Sequence, residues 1–203
     1  MLYKFLSGLA KGVTHCIFRV KVVGKENVPK DGGMILAVNH KSNWDPIFAG
    51  AYCPRPLRFM AKADLFKNKL FGGLIKKLGA FPIQRGRGDI GAIKGAFSIL
   101  KNNDAMLIFP EGHRIKNGKR VKAKLGVSMI AVYAKVPVIP LCISGEYKPF
   151  HKVTVTFGKP ITFEEYYTKS LITKLCRRLP MKLCRQFIRL TIQILRKSEN
   201  KND

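Results

Sequence analysis

Between residues 18 and 157 the chain alternates short apolar extended runs with segments of helical period, and this alternation limits its fold more than any other feature. Runs at 18–23, 34–38, 57–61, 80–84, 105–109, 138–143 and 153–157 read as strands. Helical spacing covers 45–52, 69–77, 89–101 and 126–134. Strands that alternate with helices build an α/β domain, in which the helices cover the sheet. The expected architecture is a single domain with a mixed, mostly parallel sheet. An amphipathic N-terminal helix (1–17), a catalytic-sized core (18–160) and basic amphipathic C-terminal helices (163–197) divide the chain. A length of 203 residues suits one domain with a full core, and neither an internal repeat nor a long linker interrupts it.

The wholly apolar run from Met34 to Val38 reads as a buried strand, and it stops at Asn39-His40. Asp45-Pro46 then reads as a helix start, because proline suits the first helical turn. The turn between them brings an imidazole and a carboxylate within reach of each other. Two readings are open for the pair. A carboxylate that fixes the tautomer of His40 and stabilises its imidazolium makes a general base. Alternatively, Asp45 caps the helix and His40 pairs with a neighbouring loop.

Three further clusters follow. In Phe109-Pro110-Glu111-Gly112-His113-Arg114 a forced turn ends a strand, leaving Arg114 to grip a phosphate and Glu111 to accept from a hydroxyl. A local Glu-Arg surface pair is the other reading. In Phe81-Pro82-Ile83-Gln84-Arg85-Gly86-Arg87-Gly88 a strand runs into a basic glycine turn, either an anion loop or a solvated turn. Val136-Pro137-Val138-Ile139-Pro140 reads as a wall that does no chemistry.

Charge narrows the partners. With 38 Lys plus Arg against 12 Asp plus Glu, the net charge of +26 attracts nucleic acid, an anionic membrane or a phosphorylated small molecule. The five cysteines show no CxxC spacing, so no metal site is expected and reduced thiols fit a cytosolic setting. The apolar stretch at 5–10 is too short for a membrane span or a signal-peptide core.

In order and spacing, Asn-His-x4-Asp, Phe-Pro-x-x-Arg-Gly, Phe-Pro-Glu-Gly-x-Arg and Val-Pro-Val-Ile-Pro resemble the glycerolipid acyltransferase family, most closely its 1-acyl-sn-glycerol-3-phosphate acyltransferases. The resemblance runs from about residue 20 to 143. It implies that His40 is the general base and that Asp45 orients it. It further implies that Arg85, Glu111, Gly112 and Arg114 bind the phosphate and glycerol part of lysophosphatidic acid, with Lys124 meeting phosphate as well. Position 113 is His where a small hydroxyl residue is common, and Gln84 replaces a frequent acid. The implied reaction moves a fatty acyl group to the sn-2 hydroxyl, with acyl-CoA or acyl carrier protein thioester as co-substrate and no cofactor. Glycerol 3-phosphate or another lysolipid is the alternative acceptor.

A lipid acceptor gives both termini a role. Leu2, Phe5, Leu6, Leu9, Val13, Cys16 and Ile17 recur at helical spacing, with Lys4, Ser7, Lys11 and Gly12 opposite. The segment 169–197 carries nine basic residues' worth of Lys and Arg positions and no acid. Such faces suit an anionic membrane surface, placing a peripheral protein on the cytoplasmic face of the cell membrane. A core-facing N-terminal helix is the competing reading. A nucleic-acid-binding module is the rival class, but the arginines do not alternate with aromatics and no helix-turn-helix pattern occurs, so no nucleic acid is expected.

Overall fold

In the computed structural model the described residues are 2–83, 90–115 and 126–164. Along them run α1 (Leu2–Ile17), β1 (Arg19–Val23), β2 (Met34–Val38), α2 (Asp45–Tyr52), β3 (Leu57–Lys62), α3 (Lys69–Lys77), β4 (Ala80–Ile83), α4 (Ile90–Lys101), β5 (Ala105–Ile108), α5 (Gly126–Ala134), β6 (Val138–Gly145) and β7 (Lys152–Phe157). The bounds of α2, α3 and α5 match the sequence reading. β5 stops at Ile108 because Phe109 already closes a turn, its carbonyl accepting from the Gly112 N–H at 3.0 Å. Short 3-10 turns at Lys25–Asn27 and Ala63–Phe66 have no counterpart in the sequence patterns. Arg85, Lys124 and nearly all of the C-terminal helical region lie outside the described residues.

The seven strands form one sheet ordered β1-β7-β6-β2-β5-β3-β4. Neighbours are parallel except β6 and β7. The short connection at 146–151 explains the exception, since a parallel pair needs a crossover of a dozen residues or more. β2 is buried along its whole length, with alternate side chains feeding opposite layers. Met34, Leu36 and Val38 join Phe48 and Tyr52 of α2, whereas Ile35 and Ala37 join Ala96 of α4 and Ala131 of α5. Strand period and helix placement agree, which is the mark of a sheet covered on both faces.

α3 shares the face of α2. Ala61, which has the parity of Leu57 and Phe59 on β3, packs with Ile75 of α3. Right-handed crossovers demand this, because β2 to β3 and β3 to β4 step the same way across the sheet. Pro140 sits inside β6, where a missing N–H is normally costly. The ladder to β7 begins at Leu141, so the proline falls at its end.

α1 replaces the competing reading, in which its apolar stripe faces the core. The stripe that packs on α2 is small and polar: Tyr3 donates to Gly50 O at 3.3 Å and Ser7 to Ala51 O at 3.2 Å. Thr14, fully buried, meets the Tyr52 hydroxyl at 2.8 Å. The apolar stripe faces outward, with Leu2, Phe5, Leu9 and Val13 between 42% and 70% exposed. Hydrophobic spacing shows that a stripe exists but not which stripe the domain takes. No described helix is long and apolar enough to cross a membrane.

Candidate active site

β2 pairs in parallel with both β5 and β6, so the three strands end side by side. Their carboxyl ends deliver residues 39–45, 109–114 and 145–147 to one place, where α/β sheets generally open a crevice. Asn39 fastens the first of these ends. Its Nδ2 donates to Ile143 O at 3.0 Å, and its Oδ1 accepts from the Ile143 N–H at 2.7 Å. The side-chain amide thereby copies a peptide group and extends the pairing of β2 with β6 beyond Val38.

His40 follows at once. Its Nδ1 lies 3.0 Å from Asp45 Oδ2, and its ring stacks on Phe109 at a centroid distance of 3.9 Å and a tilt of 21°. A proton on Nδ1, shared with the carboxylate, leaves the lone pair on Nε2. With 13% of the side chain exposed, the ring is held but not sealed. Its tautomer is set by a charge and its plane by an aromatic neighbour.

Asp45 is fully buried, and its oxygens turn away from α2. Oδ2 also accepts from the N–H groups of Lys41 and Ser42, each at 2.6 Å, while Oδ1 accepts from the Tyr147 hydroxyl. Trp44 occupies the cap position of α2 and makes no side-chain cap bond. The helix-cap reading of Asp45 is therefore replaced: the carboxylate organises the loop that carries the imidazole. Four donors around one buried anion offset the cost of its desolvation.

Tyr147 belongs to the same cluster. Its ring packs against Phe18 and Phe48, and the Lys41 ammonium sits 4.8 Å from its centroid. Burial, reinforced by the Asp45 charge, pushes the phenol far up, so the group stays a hydrogen-bond donor. Burial also lowers Lys41, against the opposing pull of Asp45, and its Nζ donates to Gly145 O.

The turn after β5 closes over the loop from β2. Gly112 takes a left-handed backbone with φ of 72°, the conformation that its missing side chain permits. Glu111 Oε1 accepts from the His40 N–H at 3.4 Å, and the Ile115 N–H donates to His40 O at 2.8 Å. Glu111 Oε2 is buried with no hydrogen-bond partner among the described residues. Burial raises its pKa, opposed by backbone N–H groups including that of His40. An acceptor stranded in this way is poised for a donor from outside. Arg114 is exposed and donates to Asn43 Oδ1 at 2.8 Å, tying the two loops together. No ion pair to Glu111 occurs among the described residues, which corrects the surface-pair reading.

His40, Asp45, Glu111, Gly112 and Arg114 thus meet as the motifs imply, while Arg85 and Lys124 fall outside the described residues. His113 is exposed beside them. Tyr147, Phe109 and Asn39 were not assigned these contacts from sequence. The signal for Tyr147 was its place just after an apolar strand, usable only once that strand is set beside β2. On the side of α2 that carries Pro46 and Ile47, an apolar groove of about 200 Å³ opens between α1, α2 and the sheet, lined also by Leu6, Leu57, Phe59 and Leu107. No group of three His, Cys, Asp or Glu suited to a metal occurs among the described residues.

A family model described as Acyltransferase matches residues 19–144. The 1-acyl-sn-glycerol-3-phosphate acyltransferase of Bacillus subtilis (strain 168) is 35% identical over 166 residues, covering 79% of this chain and 82% of that protein. A protein of the same name from Streptococcus pneumoniae is 34% identical over 174 residues, covering 81% and 64%. Among solved structures, the 1-acyl-sn-glycerophosphate acyltransferase PlsC from Thermotoga maritima superposes with a TM-score of 0.69 at 26% identity. That match covers 91% of this chain and 79% of the other.

Proposed function

Since this chain belongs to the acyltransferase family, we propose that it moves a fatty acyl group from a thioester to the sn-2 hydroxyl of 1-acyl-sn-glycerol 3-phosphate, giving phosphatidic acid. The observation that carries the chemistry is the 3.0 Å contact between His40 Nδ1 and the buried Asp45. His40 Nε2 takes the proton of the acceptor hydroxyl as that oxygen attacks the thioester carbonyl. The carbon–sulfur bond then breaks, and the departing thiolate recovers the proton from the imidazolium. Transfer is direct, so no enzyme nucleophile is required. Asp45 favours the charged ring throughout.

The acceptor must also be placed. Arg114 and Arg85 hold its phosphate, with Lys124 as a further cation, and Glu111 with the Gly112 turn receives the glycerol part. Glu111 Oε2, which has no partner among the described residues, accepts from a substrate hydroxyl. The apolar groove lined by Pro46 and Ile47 takes an acyl chain. Coenzyme A or acyl carrier protein carries the acyl group, since both present the same thioester. The outward apolar stripe of α1 supports peripheral binding to an anionic membrane on its cytoplasmic face.

The direct test incubates purified protein with both donors and a panel of lysophospholipid and glycerol phosphate acceptors. Transfer to 1-acyl-sn-glycerol 3-phosphate is expected, and turnover only with glycerol 3-phosphate would move the assignment to that acceptor. Arg114→Ala raises the KM for the acceptor by about 10- to 100-fold, with a smaller effect on kcat, because it removes a charge-assisted contact of roughly 1.5–3 kcal/mol. An unchanged acceptor KM removes Arg114 from the phosphate site.

Tyr147→Phe tests a positioning residue. Without its hydroxyl, Asp45 loses one of its four donors and holds the His40 ring less firmly. The expected result is a kcat lower by roughly threefold to tenfold with the acceptor KM unchanged. An unchanged kcat would mean that Tyr147 only packs.

A further inference from the structure

α3 repeats the inverted mounting of α1, on the same face of the sheet. Its contact with the domain runs through Gly72 and Ile75, the only residues of the helix that are buried. A Cβ at Gly72 would stand 2.8 Å from the Phe66 backbone, so the glycine lets the helix seat closely. The large apolar residues are left outside: Leu70 is 89% exposed, Phe71 48% and Leu74 43%, with Leu65 at 44% on the preceding turn. Four such residues in one place exceed the scatter of single exposed apolar side chains that a water-facing surface carries.

Their surroundings identify the partner. Lys62, Lys67, Lys69, Lys76 and Lys77 are all exposed around the patch, and Asp64, which pairs with Lys62 and Lys67, is the acid among them. Apolar side chains fringed by lysines match the two layers of an anionic membrane surface, hydrocarbon below and phosphate above. The C-terminal end of α3 also borders α1, because Leu78, directly after α3, lines the same apolar groove as Tyr3, Leu6 and Ala10.

We infer that α3 is a second membrane-contacting helix, inserting Leu70, Phe71 and Leu74 into one anionic leaflet beside α1. The inference rests on the reading of the acceptor as a membrane lipid. Two inserted helices fix a plane where one fixes only a line. The face that carries α1 and α3 then lies on the bilayer, and the groove lined by α1, α2 and Leu78 opens toward the acyl chains.

The test uses the full-length chain with vesicles of phosphatidylcholine containing phosphatidylglycerol. A tryptophan at Leu70→Trp shifts its emission to the blue on vesicle addition and is quenched by lipids brominated in the acyl chain, beyond any response of the native Trp44. Leu70→Glu with Leu74→Glu lowers the vesicle partition coefficient at least about tenfold at matched salt, as loss of inserted apolar area requires. The same double variant transfers acyl groups to a soluble short-chain acceptor at the wild-type rate. Unchanged partitioning together with an unquenched Leu70→Trp would overturn the inference. So would a dimer in solution that the double variant dissociates without affecting vesicle binding, since a second copy would then cover the patch. Vesicle binding with the expected quenching, but no transfer to any acceptor, would leave α3 as assigned and sink the enzymatic reading instead.

Discussion

Replacing His40 by alanine removes acyl transfer and leaves the domain folded. The loss in kcat is about 10²- to 10⁴-fold, the usual contribution of a positioned base. Folding tolerates the change because the ring closes no layer of the core: it stacks on Phe109 and meets one oxygen of Asp45. That oxygen still accepts from the Lys41 and Ser42 N–H groups in the variant, so no buried charge is left bare. The expected result is a thermal midpoint within a few degrees of wild type, read by circular dichroism, beside a transfer rate near background. Near-normal turnover in His40→Ala would falsify the mechanism.

Asp45→Ala behaves differently, and the contrast is the second large effect. Here the substitution strips a partner from the His40 ring, from two backbone N–H groups and from the Tyr147 hydroxyl at once. Each buried donor left unpaired costs about 1–3 kcal/mol, though water entering the cavity recovers part of the sum. A net destabilisation of roughly 3–5 kcal/mol is expected, comparable with breaking a buried ion pair. Denaturant titration reads this directly. Activity falls at least as far as in His40→Ala. Asp45→Asn, with the volume kept, recovers part of the stability but little activity, since its NH₂ opposes donors and its carbonyl carries no full charge. If Asp45→Ala unfolded at the same denaturant concentration as His40→Ala, the carboxylate would serve the imidazole alone.

These two residues also show where local sequence suffices and where it fails. Asn39 to Pro46 announced an imidazole and a carboxylate between a strand and a helix, and strand and helix fall at the expected bounds. Pro46 made the helix start legible, because its ring suits only the first turn. The direction of the Asp45 carboxylate was not legible. Capping chemistry and loop chemistry ask for the same residue, and the N–H groups of Lys41 and Ser42 lie as near in sequence as those of α2. Tyr147 illustrates a second kind of gap. Its bond to Asp45 spans 102 positions and depends on β6 lying beside β2, a pairing that no local period encodes. α1 shows a third. The spacing of Leu2, Phe5, Leu9 and Val13 identifies a helix, yet the domain selects the stripe with Ser7 and Thr14, whose hydroxyls find partners on α2. A periodic pattern reports amphipathicity, whereas the choice of face depends on what stands opposite.

The amide of Asn39 has a consequence for how such a protein changes over time. Because it grips Ile143 in both directions, the rigid lattice of the sheet ends one residue before the base. Aim is inherited from the strands only up to Asn39; beyond it, the turn after β5 holds the His40 backbone through Glu111 and the Ile115 N–H and sets the ring plane through Phe109. On the proposed reading that same turn receives the acceptor, so a substitution there reaches the imidazole as well. Acceptor preference and chemical competence are then coupled through residues 109–115, and a new acceptor is reached only by changes that keep these contacts to His40.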